Sequence, residues 1–136
     1  MIRPICRDTI ILSRKSEAAT RADLPVAQDL LDTLRANAER CAGMAANMIG
    51  VHKRIIAVSL GPVFIVMINP VITKRAGAYE AEEGCLSLDG VRKTIRYQTI
   101  ELTFFNQSFE KQKQRFSGFS AQIIQHELDH CDGILI

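Results

Sequence analysis

The sequence predicts an α+β domain, in which a mostly antiparallel β-sheet is accompanied by an N-terminal helix and a C-terminal helix. Apolar residues recur at helical spacing in two stretches, one in the first third of the chain and one near its end. Between them lie β-branched segments separated by turn residues, and this order is typical of the α+β class. The 136 residues, 47% of them hydrophobic, suit a single domain covering residues 1–136.

The first predicted helix covers about residues 25–41. Asp23 is a capping residue and Pro25 suits the first helical turn. One apolar stripe at spacings of three and four follows, made of Val26, Leu30, Leu34, Ala38 and Cys41. Gly43 comes next and is expected to end the helix.

The middle of the chain is predicted to be β-rich. Residues 54–60 and 63–68 are apolar and β-branched and are joined by Gly-Pro, which indicates a hairpin of buried strands. Residues 99–105 alternate polar and apolar, as in a strand with one solvated face. A turn is expected within 106–114, after which residues 115–117 are expected to pair back.

The last predicted helix, residues 118–131, carries the strongest chemical signal, His126-Glu127-Leu128-Asp129-His130. Histidines at positions i and i+4 project from one helical face and reach one metal ion, and the intervening glutamate takes a proton from bound water. The alternative is a solvated helix end with two surface histidines. The apolar residues leading up to the motif on the same face, Phe119 and Ile123, favour the metal site.

A third ligand is expected upstream of the motif. The extended H-E-x-x-H-x-x-G-x-x-H pattern of zinc proteases is excluded, because position 136 is Ile instead of His. The upstream candidates are Cys6, Cys41, His52 and Cys85. Cys41 falls on the apolar helix stripe, where a buried structural thiol is expected. Cys85 is favoured, because it lies in a polar, glycine-broken segment between β-like stretches, and a Cys, His, His set with an open position is a catalytic arrangement.

Composition excludes several other classes. A net charge of +2 with scattered Lys and Arg argues against nucleic-acid binding, and no apolar run is long enough for a membrane span. The four cysteines form no C-x-x-C pair and no secretory signal is visible, so free thiols and a cytoplasmic location are expected.

Three segments, in this order, resemble the peptide deformylase family, whose motifs are G-Φ-G-Φ-A-A-x-Q, E-G-C-L-S and H-E-x-x-H, with Φ apolar. The second motif is complete at residues 83–87 and the third at residues 126–130. The first is matched in part by residues 41–48, and the resemblance covers nearly the whole chain.

The resemblance implies an α+β fold and hydrolytic removal of the N-terminal formyl group from nascent peptides at the ribosome. Carried over residue by residue, it makes Cys85, His126 and His130 the ligands of a divalent ion and Glu127 the general base and acid. The backbone N–H of Leu86 would donate to the formyl oxygen, and Gly43 and Gly84 would lie along the bound peptide. It favours Fe²⁺ in the cell, while the donor set also suits Zn²⁺, Ni²⁺ or Co²⁺ in purified protein.

The first side chain of the substrate, methionine by resemblance, needs an apolar pocket. Phe119 and Ile123 precede His126 on its helical face and are candidates for the pocket walls. Plain core packing explains the same two residues equally well.

Two positions depart from the first motif. Cys41 replaces a Gly, and Met48 replaces the Gln whose side chain donates to the developing oxyanion. Methionine has no N–H donor. Losing one such donor lowers the rate by about 10²–10³, unless Asn47, one residue displaced, substitutes. Three functions stay open: a deformylase of reduced activity, a deformylase-like metal- and peptide-binding protein, and a hydrolase of another small N-acyl group.

Overall fold

The computed structural model describes residues 1–85 and 88–136, without the side chains of residues 88 and 89. These described residues contain three helices, five strands and two short 3₁₀ turns, at Arg21–Asp23 and Ala46–Ile49. The helices are α1 (Thr9–Leu12), α2 (Leu24–Ala36) and α3 (Gly118–Cys131). The strands are β1 (Gly43–Ala45), β2 (Ile55–Leu60), β3 (Val63–Cys85), β4 (Leu88–Phe105) and β5 (Lys111–Ser117).

The five strands form one antiparallel sheet in the order β1-β2-β3-β4-β5. Each strand therefore pairs with its neighbours in sequence. The predicted α+β class with a mostly antiparallel sheet and a C-terminal helix carrying the histidine motif is confirmed.

The two long helices cover opposite faces of the sheet. Successive side chains of a strand point to opposite faces, and in β2 the side chains of Ile55 and Ala57 join a core with α2, while those of Ile56 and Val58 join a core with α3. The N-terminal part of the sheet is consequently buried on both sides, which explains the continuous apolar sequence of β2.

Helix α2, which corresponds to the helix predicted for residues 25–41, is shorter than predicted. It ends at Ala36, and the amide of Asn37 donates to Thr33 O at 2.8 Å before the chain turns through residues 37–40. Cys41 therefore lies beyond the helix, and Gly43 begins β1 instead of ending α2. The Asp23 carboxylate accepts from Thr20 N–H at 2.8 Å and does not cap α2.

Strands β3 and β4 extend well beyond the predicted apolar segments. Residues 74–76 pair with 99–101 and residues 78–84 with 91–97, although many of these side chains are polar and exposed. Hydrogen bonding across the hairpin holds these strand segments, and that pairing leaves no signature in hydrophobic periodicity. None of the helices in the described part of the chain is long and apolar enough to span a membrane.

Candidate metal centre

Cys85, His126 and His130 come together although 41 positions separate the thiol from the first imidazole. Their potential ligand atoms all lie within 4.8 Å of one another. Cys85 ends β3, and both histidines project from α3, which packs across the sheet. Among the described residues this group contains none of the other upstream candidates. His52 Nε2 instead lies 2.9 Å from Ile11 O, and Cys6 packs against the α2 core.

The geometry of the two imidazoles fits ligation of a single ion. His126 Nε2 and His130 Nε2 lie 3.1 Å apart. Two nitrogen ligands at 2.0–2.1 Å from a tetrahedral ion would be separated by about 3.4 Å. The donor set of one thiol and two imidazoles suits Zn²⁺ and first-row transition metals.

Glu83 fixes the orientation of His126. Its Oε1 lies 2.7 Å from His126 Nδ1, which leaves Nε2 directed at the other ligands. A carboxylate on the second ring nitrogen sets the tautomer of a metal-binding histidine and makes it a stronger ligand.

Glu83 is in turn held by Arg96 and Gln122. Arg96 donates to both carboxylate oxygens at 2.6–3.2 Å and reaches Asp129 at 2.6 Å, while Gln122 donates to Oε2 at 2.9 Å. Burial opposes the charge of Glu83, but its hydrogen bonds to His126, Arg96 and Gln122 lower its pKa to about 2. The buried charges are therefore paired, as burial of charged groups requires.

The two histidines differ in their protonation. Burial opposes protonation of His126, but hydrogen bonds to Cys85 and Glu83 raise its pKa to about 10. Burial, with the nearby charge of His126, lowers the pKa of His130 to about 3, so this ring is neutral and ready to ligate. Binding of a cation at His126 Nε2 therefore releases a proton.

Glu127 lies beside the ligands and is almost fully buried. Burial raises its pKa to about 7, which places its proton transfer near neutrality. Its Oε1 has no hydrogen-bond partner among the described residues. An orphaned, buried carboxylate oxygen next to three convergent ligands is an arrangement suited to a proton acceptor.

A cavity of about 470 Å³ opens onto this centre. It is lined by residues 38–43 leading into β1, by residues 82–85 of β3 and by α3. The α3 residues that line it are Phe119, Gln122, Ile123, His126 and Glu127.

The two predicted pocket residues of α3 have different surroundings. Ile123 is 7% exposed and belongs to the core under α3, whereas Phe119 is 69% exposed. Plain core packing therefore does not account for Phe119. Both side chains line the cavity, as the pocket hypothesis requires.

The two predicted peptide-binding glycines differ in how much space surrounds them. A Cβ on Gly43 would lie 2.7 Å from Ile123 Cγ2 and 3.0 Å from Glu127 Oε2, so the close approach of α3 excludes a side chain there. Among the described residues, a Cβ on Gly84 would meet only Gly90 O, at 3.5 Å, which is ordinary contact.

Neither Met48 nor Asn47 presents a donor to the cavity. Met48 is 1% exposed, and its Sδ accepts from Ala45 N–H at 3.4 Å. Asn47 Nδ2 donates to His130 O at 2.7 Å and to Leu12 O at 3.4 Å. Leu86, whose backbone N–H is the remaining predicted donor, lies outside the described residues.

Sequence reasoning did not assign roles to Glu83, Gln122, Arg96 and Asp129. The positions of two of them in the sequence could have indicated a role. Glu83 lies two residues before Cys85, and Asp129 lies within the histidine motif. Carboxylates placed beside metal ligands require cationic or hydrogen-bonding partners.

Comparison with known proteins finds peptide deformylases both among family models and among sequence relatives. The model of the polypeptide deformylase family matches residues 3–136. A peptide deformylase of Clostridium beijerinckii is 58% identical over 136 residues, covering 100% of both chains. Peptide deformylase 2 of Clostridium acetobutylicum is 37% identical over 129 residues, covering 92% of this chain and 85% of the other.

Solved structures agree with the sequence relatives. A class I type b peptide deformylase from Acinetobacter baumannii, with Met-Ala-Ser bound, superposes with a TM-score of 0.88 at 26% identity, covering 99% of this chain and 97% of the other. A peptide deformylase from Legionella pneumophila superposes with a TM-score of 0.88 at 28% identity, covering 99% and 83%.

Proposed function

The chain belongs to the polypeptide deformylase family, and from this premise we propose that Cys85, His126 and His130 hold its catalytic ion and that Glu127 transfers the proton. It is a metal-dependent hydrolase that removes the N-terminal formyl group from nascent peptides by cleaving a linear amide bond. The convergence of one thiol and two imidazoles within 4.8 Å, beside a buried glutamate, carries the assignment of residues.

The proposed mechanism uses the ion and Glu127 together. Cys85, His126 and His130 would hold a divalent ion, which when bound would supply Lewis-acid activation of water and of the formyl carbonyl. Glu127, with its pKa raised to about 7 by burial, accepts the water proton and then delivers it to the leaving amine. The products are formate and a free N-terminus.

Substrate binding is proposed along the cavity. The peptide lies extended between residues 41–43 and residues 82–85, and Phe119 and Ile123 contact its first side chain, methionine. Within the described part of the chain, a Cβ on Gly84 would make only ordinary contact, with Gly90 O, which supports close approach of a peptide backbone there. The Acinetobacter enzyme has Met-Ala-Ser bound, which supports this choice of ligand.

The identity of the metal and the site of action in the cell are further parts of the proposal. Fe²⁺ is the proposed ion in the cell, and Zn²⁺, Ni²⁺ or Co²⁺ replace it in purified protein, because all four accept thiolate and imidazole ligands. The enzyme acts in the cytoplasm on chains emerging from the ribosome, since its substrates are nascent peptides.

We propose that the backbone N–H of Leu86 donates to the developing oxyanion, that a bound ion would add its positive charge there, and that position 48 supplies no side-chain donor. The Met48 sulfur accepts a hydrogen bond from Ala45 N–H, and the Asn47 side-chain amide donates to backbone carbonyls. One missing donor corresponds to a rate lower by about 10²–10³ than that of a site with glutamine.

The same observation favours a second candidate function. A protein that retained the metal site and the cavity but had weak oxyanion stabilisation would bind formylated peptides without rapid turnover. A third candidate, hydrolysis of another small N-acyl group, predicts turnover of acyl amides in preference to formyl-Met peptides.

The deciding experiment is formate release from formyl-Met-Ala-Ser by protein purified without oxygen, with the metal content of the same sample determined. Turnover that disappears in Glu127→Ala supports the deformylase proposal. Fully metallated protein that binds the peptide and releases no formate supports the binding function instead.

A further inference from the structure

Among the described residues, strand β1 lies at the end of the sheet and pairs only with β2, so its other edge has no partner strand. Ser59 N–H of β2 donates to Ala42 O at 2.8 Å, so Ala42 directs its backbone groups towards β2. Alternate residues of an antiparallel strand direct these groups to opposite sides. Gly43 and Ala45 consequently direct theirs towards the free edge.

Two sulfur-containing side chains form hydrogen bonds with backbone groups on this edge. Cys41 Sγ lies 2.7 Å from Gly43 O, and Met48 Sδ accepts from Ala45 N–H at 3.4 Å. These are the two positions at which the chain departs from the first family motif. A thiol is a weak donor and a thioether a weak acceptor, so a peptide N–H or C=O can replace either one.

The Cys41 thiol also belongs to the substrate cavity. Cys41 and Gly43 line the same cavity as Gly84 and Cys85. Burial, reinforced by the negative charge of Glu127, raises the pKa of Cys41 to about 12, so the sulfur keeps its proton and can donate. A peptide that adds to the sheet as an extended strand needs the outward-facing backbone groups of the edge strand.

We propose that Cys41 sets the affinity of this enzyme for its substrate: its thiol holds the Gly43 carbonyl in the free protein and yields it to a backbone N–H of the formylated peptide. This inference rests on the proposed function. Binding exchanges a thiol hydrogen bond for an amide one, so only the difference between them contributes to affinity. The exchange takes place before the chemical step and is expected to change KM with kcat unaltered.

Substitution of Cys41 gives the first test. Cys41→Ala frees the Gly43 carbonyl, and KM for formyl-Met-Ala-Ser is expected to fall about 3- to 10-fold, the equivalent of one neutral hydrogen bond. Cys41→Ser retains a donor of nearly the same size and is expected to leave KM equal to or above that of the parent protein. Cys6→Ala, which lies outside the cavity, is the matched control and should not change KM.

A substrate series makes the test specific for the hydrogen bond. Formyl-Met-Ala-Ser analogues, each with one backbone amide replaced by an ester, lack one N–H at a time. The effect of Cys41→Ala should disappear for one analogue and persist for the others. An equal change of KM in Cys41→Ala and Cys41→Ser, or an effect that is the same for every analogue, would overturn the inference.

The infrared S–H stretching band distinguishes failure of this inference from failure of the proposed function. The Cys41 band is identified by its loss in Cys41→Ser and is expected to move to higher frequency when the product Met-Ala-Ser binds. This readout needs no turnover, so it decides the inference even if the protein releases no formate. A band that does not move when Met-Ala-Ser is added contradicts the inference.

Discussion

Glu83 Oε1 lies 2.7 Å from His126 Nδ1, on the ring nitrogen that faces away from the other candidate ligands. Glu83 is two residues from Cys85 along β3, so one short strand segment supplies both the thiol and the carboxylate that orients an imidazole of α3. The same carboxylate binds Arg96, which also reaches Asp129 on α3. The strand and the helix are thus joined at the candidate metal centre by a network of paired charges.

Replacement of Glu83 is expected to weaken metal binding. Glu83→Gln removes the charge that orients His126 and leaves buried Arg96 with only Asp129, so metal affinity should fall about 10- to 100-fold. Competition against a chelator at fixed pH measures the change. Glu82→Gln, at an exposed neighbouring position, is the matched control, and equal affinities of the two variants would contradict the role of Glu83.

Replacement of Glu127 is expected to separate metal binding from catalysis. Glu127→Gln removes the proton acceptor without removing a ligand, so kcat should fall about 10²–10⁴-fold while the metal content is retained. Single-turnover formate release with metal analysis of the same sample checks this expectation. A variant that keeps more than a tenth of the parent rate would exclude Glu127 as the general base.

Glu127 also predicts a pH dependence of stability in metal-free protein. Its pKa rises from the ordinary 4.5 to about 7 on folding, so the native state retains a proton that the unfolded chain loses. The contribution of the protonated Glu127 carboxyl to the free energy of unfolding is fully present below about pH 4.5. It is lost as the pH rises through 7, which lowers that free energy by about 3 kcal/mol. Urea unfolding of parent protein and Glu127→Gln between pH 4.5 and 8 should show the difference growing in favour of the variant. A constant difference would contradict the raised pKa.

Two glycines that line the cavity should respond differently to an added methyl group. Gly43→Ala forces Ile123 and Glu127 of α3 to move and should lower the free energy of unfolding by about 1–3 kcal/mol. Gly84→Ala meets only ordinary contact, with Gly90 O, in the part of the chain that the structure describes, and it should keep its stability while raising KM, if the peptide backbone passes there. Thermal unfolding and steady-state kinetics of the pair check this, and a stable Gly43→Ala would contradict the tight packing of α3.

Substitution at position 48 tests the proposal that oxyanion stabilisation is weakened. Met48→Gln restores a side-chain donor and should raise kcat by about 10²–10³, while a buried amide in place of the thioether lowers stability by about 1–3 kcal/mol. Met67→Gln, in the core under α3, is the matched control and should lose stability without a gain in rate. Absence of a gain at position 48 would favour the binding function or a different substrate.

Most of the helical part of the metal site could be predicted from the sequence, because its geometry is local. Histidines four residues apart on a helix share a face whatever surrounds them, and residues 118–131 were predicted with the bounds that the structure has. The N-terminal helix was predicted too long, since Ala38 and Cys41 continue its apolar spacing although the chain already turns at Asn37. Apolar spacing cannot distinguish one more helical turn from a loop that packs against the same core.

The sequence by itself determined the chemical nature of the site, namely a thiol, two imidazoles and a carboxylate, because these side chains are the donors that the metal and the proton transfer require. The tertiary structure alone decided which distant groups support them. Glu83 is 43 positions from His126, Arg96 is 33 from Asp129, and Gly43 meets a helix that begins 75 residues later. These contacts between distant residues depend on the register of β3 with β4 and on how α3 lies across the sheet. Long-range packing of this kind has no periodic signature in the sequence.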